Sequence, residues 1–148
     1  MDLEPLRAGM EQAVPFNGHL GLEIVEVAIG RGVARLPDDQ KLRNHSGSQH
    51  ASALFAVGQA ASGAAMAAVF VERLPELELQ PESAEIAYKK IPRGPLTATG
   101  VLGADPAQLL AELEREGHVA FGIDVSVVDG AGDLVAAMAV RWHVRQDA

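Results

Sequence analysis

The stretch that decides the fold is residues 43–70, where Arg43-Asn44-His45-Ser46-Gly47-Ser48-Gln49-His50 is followed by ASALFAVGQAASGAAMAAVF. A polar approach runs straight into a segment dominated by alanine, with Leu54, Phe55, Val57, Met66 and Val69 among it. Alanine is the strongest intrinsic helix former and the segment contains no proline, so one long helix is predicted despite Gly58 and Gly63. At about 100° per residue, His50, Leu54, Val57, Ala61, Ala64 and Ala68 share one side, and Phe55, Gln59, Met66 and Phe70 fall on the other. A helix apolar nearly all round is normally covered on both sides. Small side chains also admit a sheet or second backbone at close range, so the expectation is a central helix enclosed by strands. Ser46 or Ser48 is expected to cap it, with Gln49 completing a capping box from Ser46. Free N–H groups at such an end attract an anion or a developing oxyanion.

Working outward, Leu3 to Val14 is read as a short amphipathic helix ending before Pro15, and Phe16-Asn17-Gly18-His19 as a turn. Leu20 to Ile29 is β-like with room for a bulge, Gly30-Arg31-Gly32 reverses the chain, and Val33 to Leu36 is a second strand. Asp38-Asp39-Gln40-Lys41 is solvated loop. Beyond the helix, Leu74-Pro75 breaks the pattern and Glu76 to Glu82 reads as an acidic connection. Ala84, Ile86 and Tyr88 alternate with Glu85, Ala87 and Lys89 in a third strand, Pro92-Arg93-Gly94-Pro95 is a stiff turn, and Leu96 to Gly103 is a fourth strand. Asp105-Pro106 opens a short helix that stops at Gly117. Val119, Phe121, Ile123, Val125 and Val127 then alternate, and after Asp129 to Asp133 so do Leu134, Ala136, Met138, Val140, Trp142 and Val144, an antiparallel hairpin. Such strands have one core face, which a sheet wrapped on a helix requires.

A chain of 148 residues, 48% hydrophobic, suits one domain, residues 1–148 with a core at about 15–145. The net charge of −8 weighs against nonspecific binding of nucleic acid. No segment has the length and apolarity of a membrane span, and Asp2 and Glu4 stand where a secretory signal has basic residues, so the expected location is the cytoplasm. The absence of cysteine excludes disulfides, thiolate metal sites and thiol nucleophiles. A purely parallel α/β fold is disfavoured by the two hairpins, and no nucleotide-binding glycine fingerprint is present.

Asn44, Gly47 and His50, at intervals of three, are followed by the small residues Ala51 and Ser52 and then by Leu54-Phe55. In this the sequence resembles the hotdog-fold thioesterases, especially the phenylacetic-acid-degradation type and the related DUF4442 proteins. Ile86-Ala87-Tyr88 through Ile91-Pro92-Arg93-Gly94-Pro95-Leu96-Thr97 is similar to the stretch after that family's helix. The resemblance implies an α+β fold with an antiparallel sheet around a long helix, assembly as a homodimer or a dimer of dimers, and active sites between subunits. It also implies a substrate in which an acyl group is joined by thioester to coenzyme A or an acyl carrier. No separate cofactor is implied, since coenzyme A is part of that substrate. One position departs from the pattern: nine residues after the motif histidine the thioesterases carry Asp or Glu, and here stands Gln59. A glutamine amide accepts no proton near neutral pH, and loss of the base costs about 10²- to 10⁴-fold in rate.

The candidate catalytic residues by resemblance are Asn44, His50, Ala51 and Gln59. The Ala51 N–H is the expected oxyanion donor, against the alternative of an ordinary helix end. Asn44 positions water or the carbonyl, or else folds its own turn. His50 meets the thioester carbonyl or satisfies local backbone groups. Gln59 lies about 180° around the helix from His50, so it shares a site with it only if two subunits contribute; otherwise it bonds a neighbouring strand or helix. Lys89, Lys90 and Arg93 are the compact basic cluster expected to hold coenzyme A phosphates, the alternative being a solubilising strand end. His45 with His50 lacks a third metal ligand, so no metal is expected, and Ser62 lacks a histidine-carboxylate relay. Trp142 and Phe121 are expected in the sheet core or an interface. The leading function is acyl-thioester hydrolysis; the alternatives are a protein of the same fold that binds acyl-CoA or an acyl-carrier thioester without catalysis and, further off, a dehydratase.

Overall fold

The computed structural model describes residues 1–147. Two short helices, α1 (Glu4–Ala13) and α2 (Pro15–Leu20), lead into the hairpin β1 (Glu23–Ala28) and β2 (Arg31–Leu36). The central helix α3 (Ala51–Ala67) follows, then β3 (Leu77–Tyr88), β4 (Leu96–Leu102), α4 (Pro106–Glu116), β5 (His118–Val128) and β6 (Leu134–Gln146). The strands form one antiparallel sheet in the order β1-β2-β4-β5-β6-β3, which leaves β1 and β3 at its edges. This is the α+β arrangement of a hotdog, a sheet curved about one long helix.

Two glycines of the sheet set the depth at which α3 sits. A Cβ on Gly32 of β2 would lie 2.4 Å from the Ala65 nitrogen, and one on Gly100 of β4 would lie 2.8 Å from the Ala61 oxygen. Glycine on the strands and alanine on the helix therefore let the two backbones touch. Leu54, Val57, Ala61 and Ala64 on this side are buried. The opposite side of α3, at Phe55, Gln59, Ala60 and Gly63, is only partly covered. Within one chain the helix is thus not enclosed on both sides, contrary to its all-round apolar pattern.

Several expectations need correction. The helix begins at Ala51, and its cap is neither Ser46 nor Ser48: His50 accepts the Ser52 N–H on its Nδ1. Phe16 to His19 is not a turn but part of α2, because Pro15 starts a helix at its first position as readily as it ends the one before. Residues 77–82 are strand rather than connection. Their charges lie toward solvent, Glu78 against Arg145 and Glu82 against Arg141, and Pro81 sits at the irregularity in an edge strand, where a missing N–H is tolerated. Asp38 to Lys41 is partly a 3₁₀ turn, Gln40–Leu42. In β6 the register shift opposite Val127 and Val128 turns Val135 inward and Leu134 outward, so the alternation holds only from Ala136 on. The bulge allowed for in the first strand is present, between Ile24 and Glu26.

Candidate active site

The loop before α3 is folded by Asn44. Its Oδ1 accepts the N–H groups of Ser46 at 2.9 Å and Ser48 at 3.2 Å, its Nδ2 donates to the Ser48 hydroxyl at 3.1 Å, and its backbone N–H donates to the Ser48 carbonyl at 2.7 Å. Gly47 takes the left-handed conformation, φ 80°, that closes the loop. The loop delivers the chain to His50, whose cap on Ser52 and whose carbonyl bonds to Ala53 and Leu54 occupy the next N–H groups of the helix. The Ala51 N–H is left without a protein acceptor among the described residues, and Ala51 is exposed. It is one of the orphan donors at the positive end of a helix 17 residues long.

Ala51 and Asn44 border a cleft of about 350 Å³ whose other wall is Tyr88, Lys89, Lys90 and Pro92. The Tyr88 hydroxyl reaches across to the Ala51 carbonyl at 3.4 Å. That wall is held from behind by Asp129, which is 6% exposed. Its carboxylate accepts the N–H groups of Arg93 at 2.9 Å, Ala131 at 3.0 Å and Asp133 at 3.1 Å. Burial pushes the Asp129 carboxyl up, but these three backbone donors and the nearby Lys90 charge outweigh it and hold the carboxyl below the usual range. The Lys90 ammonium pairs with Asp133 at 2.6 Å, whereas Lys89 lines the cleft without an ion pair among the described residues. Arg93 contributes its backbone to the loop and does not line the cleft.

Gln49, absent from the sequence-based candidates, is the buried polar residue of this cleft. It is 3% exposed, and its Nε2 donates to the Pro37 carbonyl at 3.0 Å and more weakly to the Gly94 carbonyl at 3.5 Å. It thereby ties together the loops on either side of the helix start. Its position inside the motif, flanked by Ser48 and His50, was the available signal. Tyr88, read from the sequence only as a strand residue, stands over Ala51.

Gln59 lies elsewhere. It borders a second cleft, also about 350 Å³, between α3, the α1–α2 corner and β6, with Met10, Phe16, Gly63 and Trp142 around it. Within one chain, therefore, Asn44 and Ala51 are brought together with Lys89 and Lys90, while Gln59 is not. His50 caps the helix outside the lining of the first cleft. Trp142, expected only in the core or an interface, also floors the second cleft, and its Nε1 donates to the Ser62 hydroxyl at 3.1 Å. Ser62 in turn donates to the Gln59 carbonyl at 2.6 Å, a structural bond rather than the posture of a nucleophile. No group of three His, Asp or Glu gathers into a metal-binding constellation among the described residues. No helix among them is long and apolar enough to cross a membrane.

The same architecture recurs in solved structures. The Pseudomonas aeruginosa protein PA5026, described as of unknown function and a probable thioesterase, superposes with a TM-score of 0.83 at 22% identity, over 99% of this chain and 97% of that one. The thioesterase SAV0944 of Staphylococcus aureus gives 0.74 at 14% identity over 89% and 99%. The Escherichia coli PaaI protein of the phenylacetic acid degradation operon gives 0.71 at 18% identity over 97% and 92%. No curated protein sequence matches significantly. The family described as a domain of unknown function, DUF4442, matches residues 4–144. With nearly its whole length matched and its sheet wound about α3, this chain belongs to the DUF4442 family and has the hotdog fold.

Proposed function

We propose that the protein is a cytoplasmic acyl-thioester hydrolase that works as a homodimer or a dimer of dimers. The observation that carries this reading is the unpaired Ala51 N–H at the start of α3, open to a cleft beside Asn44 and Lys89. A thioester carbonyl seated there receives a hydrogen bond that strengthens as charge grows on its oxygen. Lys89, with Lys90 behind it, attracts the phosphates of coenzyme A. The thioesterase descriptions of PA5026 and SAV0944, proteins of the same fold, support the assignment.

A second subunit completes the site in this proposal. Strand β3 has a free edge; in the proposed dimer a two-fold partner docks along it with Gln59 of the partner subunit facing the Ala51 cleft, so that the two clefts of one chain serve as halves of two sites. Asn44 and Gln59 then orient the attacking water through their amides. Neither is a base, so hydrolysis is slow and the second reading, a binding protein for acyl-CoA that does not turn it over, is favoured by that one substitution.

Thiol release from a panel of short, medium and aromatic acyl-CoAs tests the proposal, run on the wild type and on Gln59→Glu. Release above background that rises in Gln59→Glu by about 10²-fold or more supports it. No release from either, with acyl-CoA still raising the melting temperature, selects the binding protein; neither release nor stabilisation removes both.

A further inference from the structure

Packing explains only one of the two glycines inside α3. A Cβ on Gly58 would stand 2.7 Å from the Met138 sulfur, so a side chain there presses into the sheet. A Cβ on Gly63 would meet nothing nearer than the Trp142 ring, whose Cζ2 and Cη2 lie at 3.8 and 4.0 Å, ordinary contact distances. Gly63 is not among the glycines of positive φ, so the backbone makes no demand for it either. Inside a helix glycine is about 0.8–1 kcal/mol less favourable than alanine. At Gly63 the chain forgoes that stability and keeps a volume open.

The open volume is the cleft beside Gln59. Gly63 follows Gln59 by about one helical turn on the same side of α3, Trp142 lies beneath it, and Met10 and Phe16 face it from the N-terminal helices. Phe16 is 61% exposed at its rim. Among the described residues no charged side chain lines the cleft, and its polar members are Asn17 and Gln59. An occupant that is apolar along its length and carries its polar group at the Gln59 end fits this lining. The volume of about 350 Å³ corresponds to roughly ten groups the size of a water molecule.

We propose that this cleft receives the hydrocarbon chain of a medium-length acyl group whose thioester carbonyl sits between Gln59 and the partner subunit's Ala51, and that Gly63, backed by Trp142, sets how far the chain reaches. The inference rests on the thioester reading and adds the substrate class to it. Filling the position with a methyl or isopropyl group shortens the cleft without touching the carbonyl end.

The test compares wild type, Gly63→Ala and Gly63→Val against acetyl-, butyryl-, octanoyl-, decanoyl- and palmitoyl-CoA, reading KM or ligand-induced stabilisation, melting temperature and mass in solution. Wild type is expected to prefer octanoyl or decanoyl over acetyl and palmitoyl. Gly63→Ala should melt no lower than wild type, and the octanoyl-to-acetyl affinity ratio should fall modestly in it and by about ten-fold or more in Gly63→Val. If Gly63→Val fails to fold, the direction of the ratio in Gly63→Ala decides. An unchanged ratio overturns the inference while leaving the thioester reading in place; accompanied by a change of mass, it assigns Gly63 to a subunit contact. If no acyl-CoA is bound or hydrolysed even by wild type, the thioester reading fails and this inference with it.

Discussion

The indole N–H of Trp142 on β6 donates to the hydroxyl of Ser62 on α3 at 3.1 Å, and that hydroxyl in turn donates to the Gln59 carbonyl at 2.6 Å. Sheet, helix and the turn that carries Gln59 are thereby joined through one buried hydroxyl, which has no exposure to solvent.

Ser62→Ala leaves the Trp142 donor buried and unpaired. It is expected to cost about 1–3 kcal/mol in urea unfolding, the desolvation penalty of an orphaned polar group. Adding Trp142→Phe removes the orphan, so the double variant should lose less than the sum of the two single ones. Additive losses would show that the bond is not the source of the effect.

The touching backbones of α3 and the sheet make a second expectation. Gly100→Ala places a methyl group 2.8 Å from the Ala61 oxygen, where the obstacle is main chain and not a movable side chain. The helix must lift from β4, and a loss of about 1–3 kcal/mol or more is expected by denaturant titration. A variant as stable as wild type would mean that the helix does not approach as closely as described.

Asp129 predicts a pH dependence. Its carboxyl titrates lower in the folded chain than in the unfolded one, the donors of Arg93, Asp133 and Ala131 and the Lys90 charge outweighing burial. A depressed folded value contributes stability that is complete above the unfolded value of about 4 and is lost as pH falls through the folded one. Asp129→Asn should therefore melt below wild type at neutral pH, with the gap narrowing as the pH is taken below about 4. A gap constant across that range would contradict the ionised role.

Lys89 separates two kinds of thioester. If it meets nucleotide phosphates, Lys89→Ala should weaken a coenzyme A thioester by roughly five-fold, the equivalent of an exposed ionic contact near 1 kcal/mol. The matching pantetheine thioester, without the nucleotide, should be unaffected in direct binding measurements. Equal losses for both would place Lys89 against the pantetheine arm or the loop.

Much of this architecture is legible in the residues themselves, and where it is not the causes are specific. The alanine run of α3 and the alternation in β5 and β6 announce helix and hairpin because each buries one periodic face. Residues 77–82 hide their strand because β3 is an edge whose outward charges find Arg141 and Arg145 only after folding. Pro15 punctuates in both directions, which masks α2. At the site, the spacing of Asn44, Gly47 and His50 locates the helix start but not its cap, since an imidazole there competes with two serines for the same N–H groups. The wall supplied by Tyr88 and the bracing by Gln49 and Asp129 join segments distant in sequence, and no local pattern encodes them.

Ala51→Pro tests the central claim most directly. Ala51 is the first residue of α3, where proline is well tolerated, and His50 before it is already extended at φ −65° and ψ 146°. The Ala51 N–H has no protein acceptor among the described residues, so the substitution removes that donor and almost nothing else. Measured on the acyl-CoA that wild type hydrolyses best, kcat is expected to fall about 10²- to 10³-fold with the melting temperature preserved. Hydrolysis at the wild-type rate by a folded Ala51→Pro protein would contradict the account.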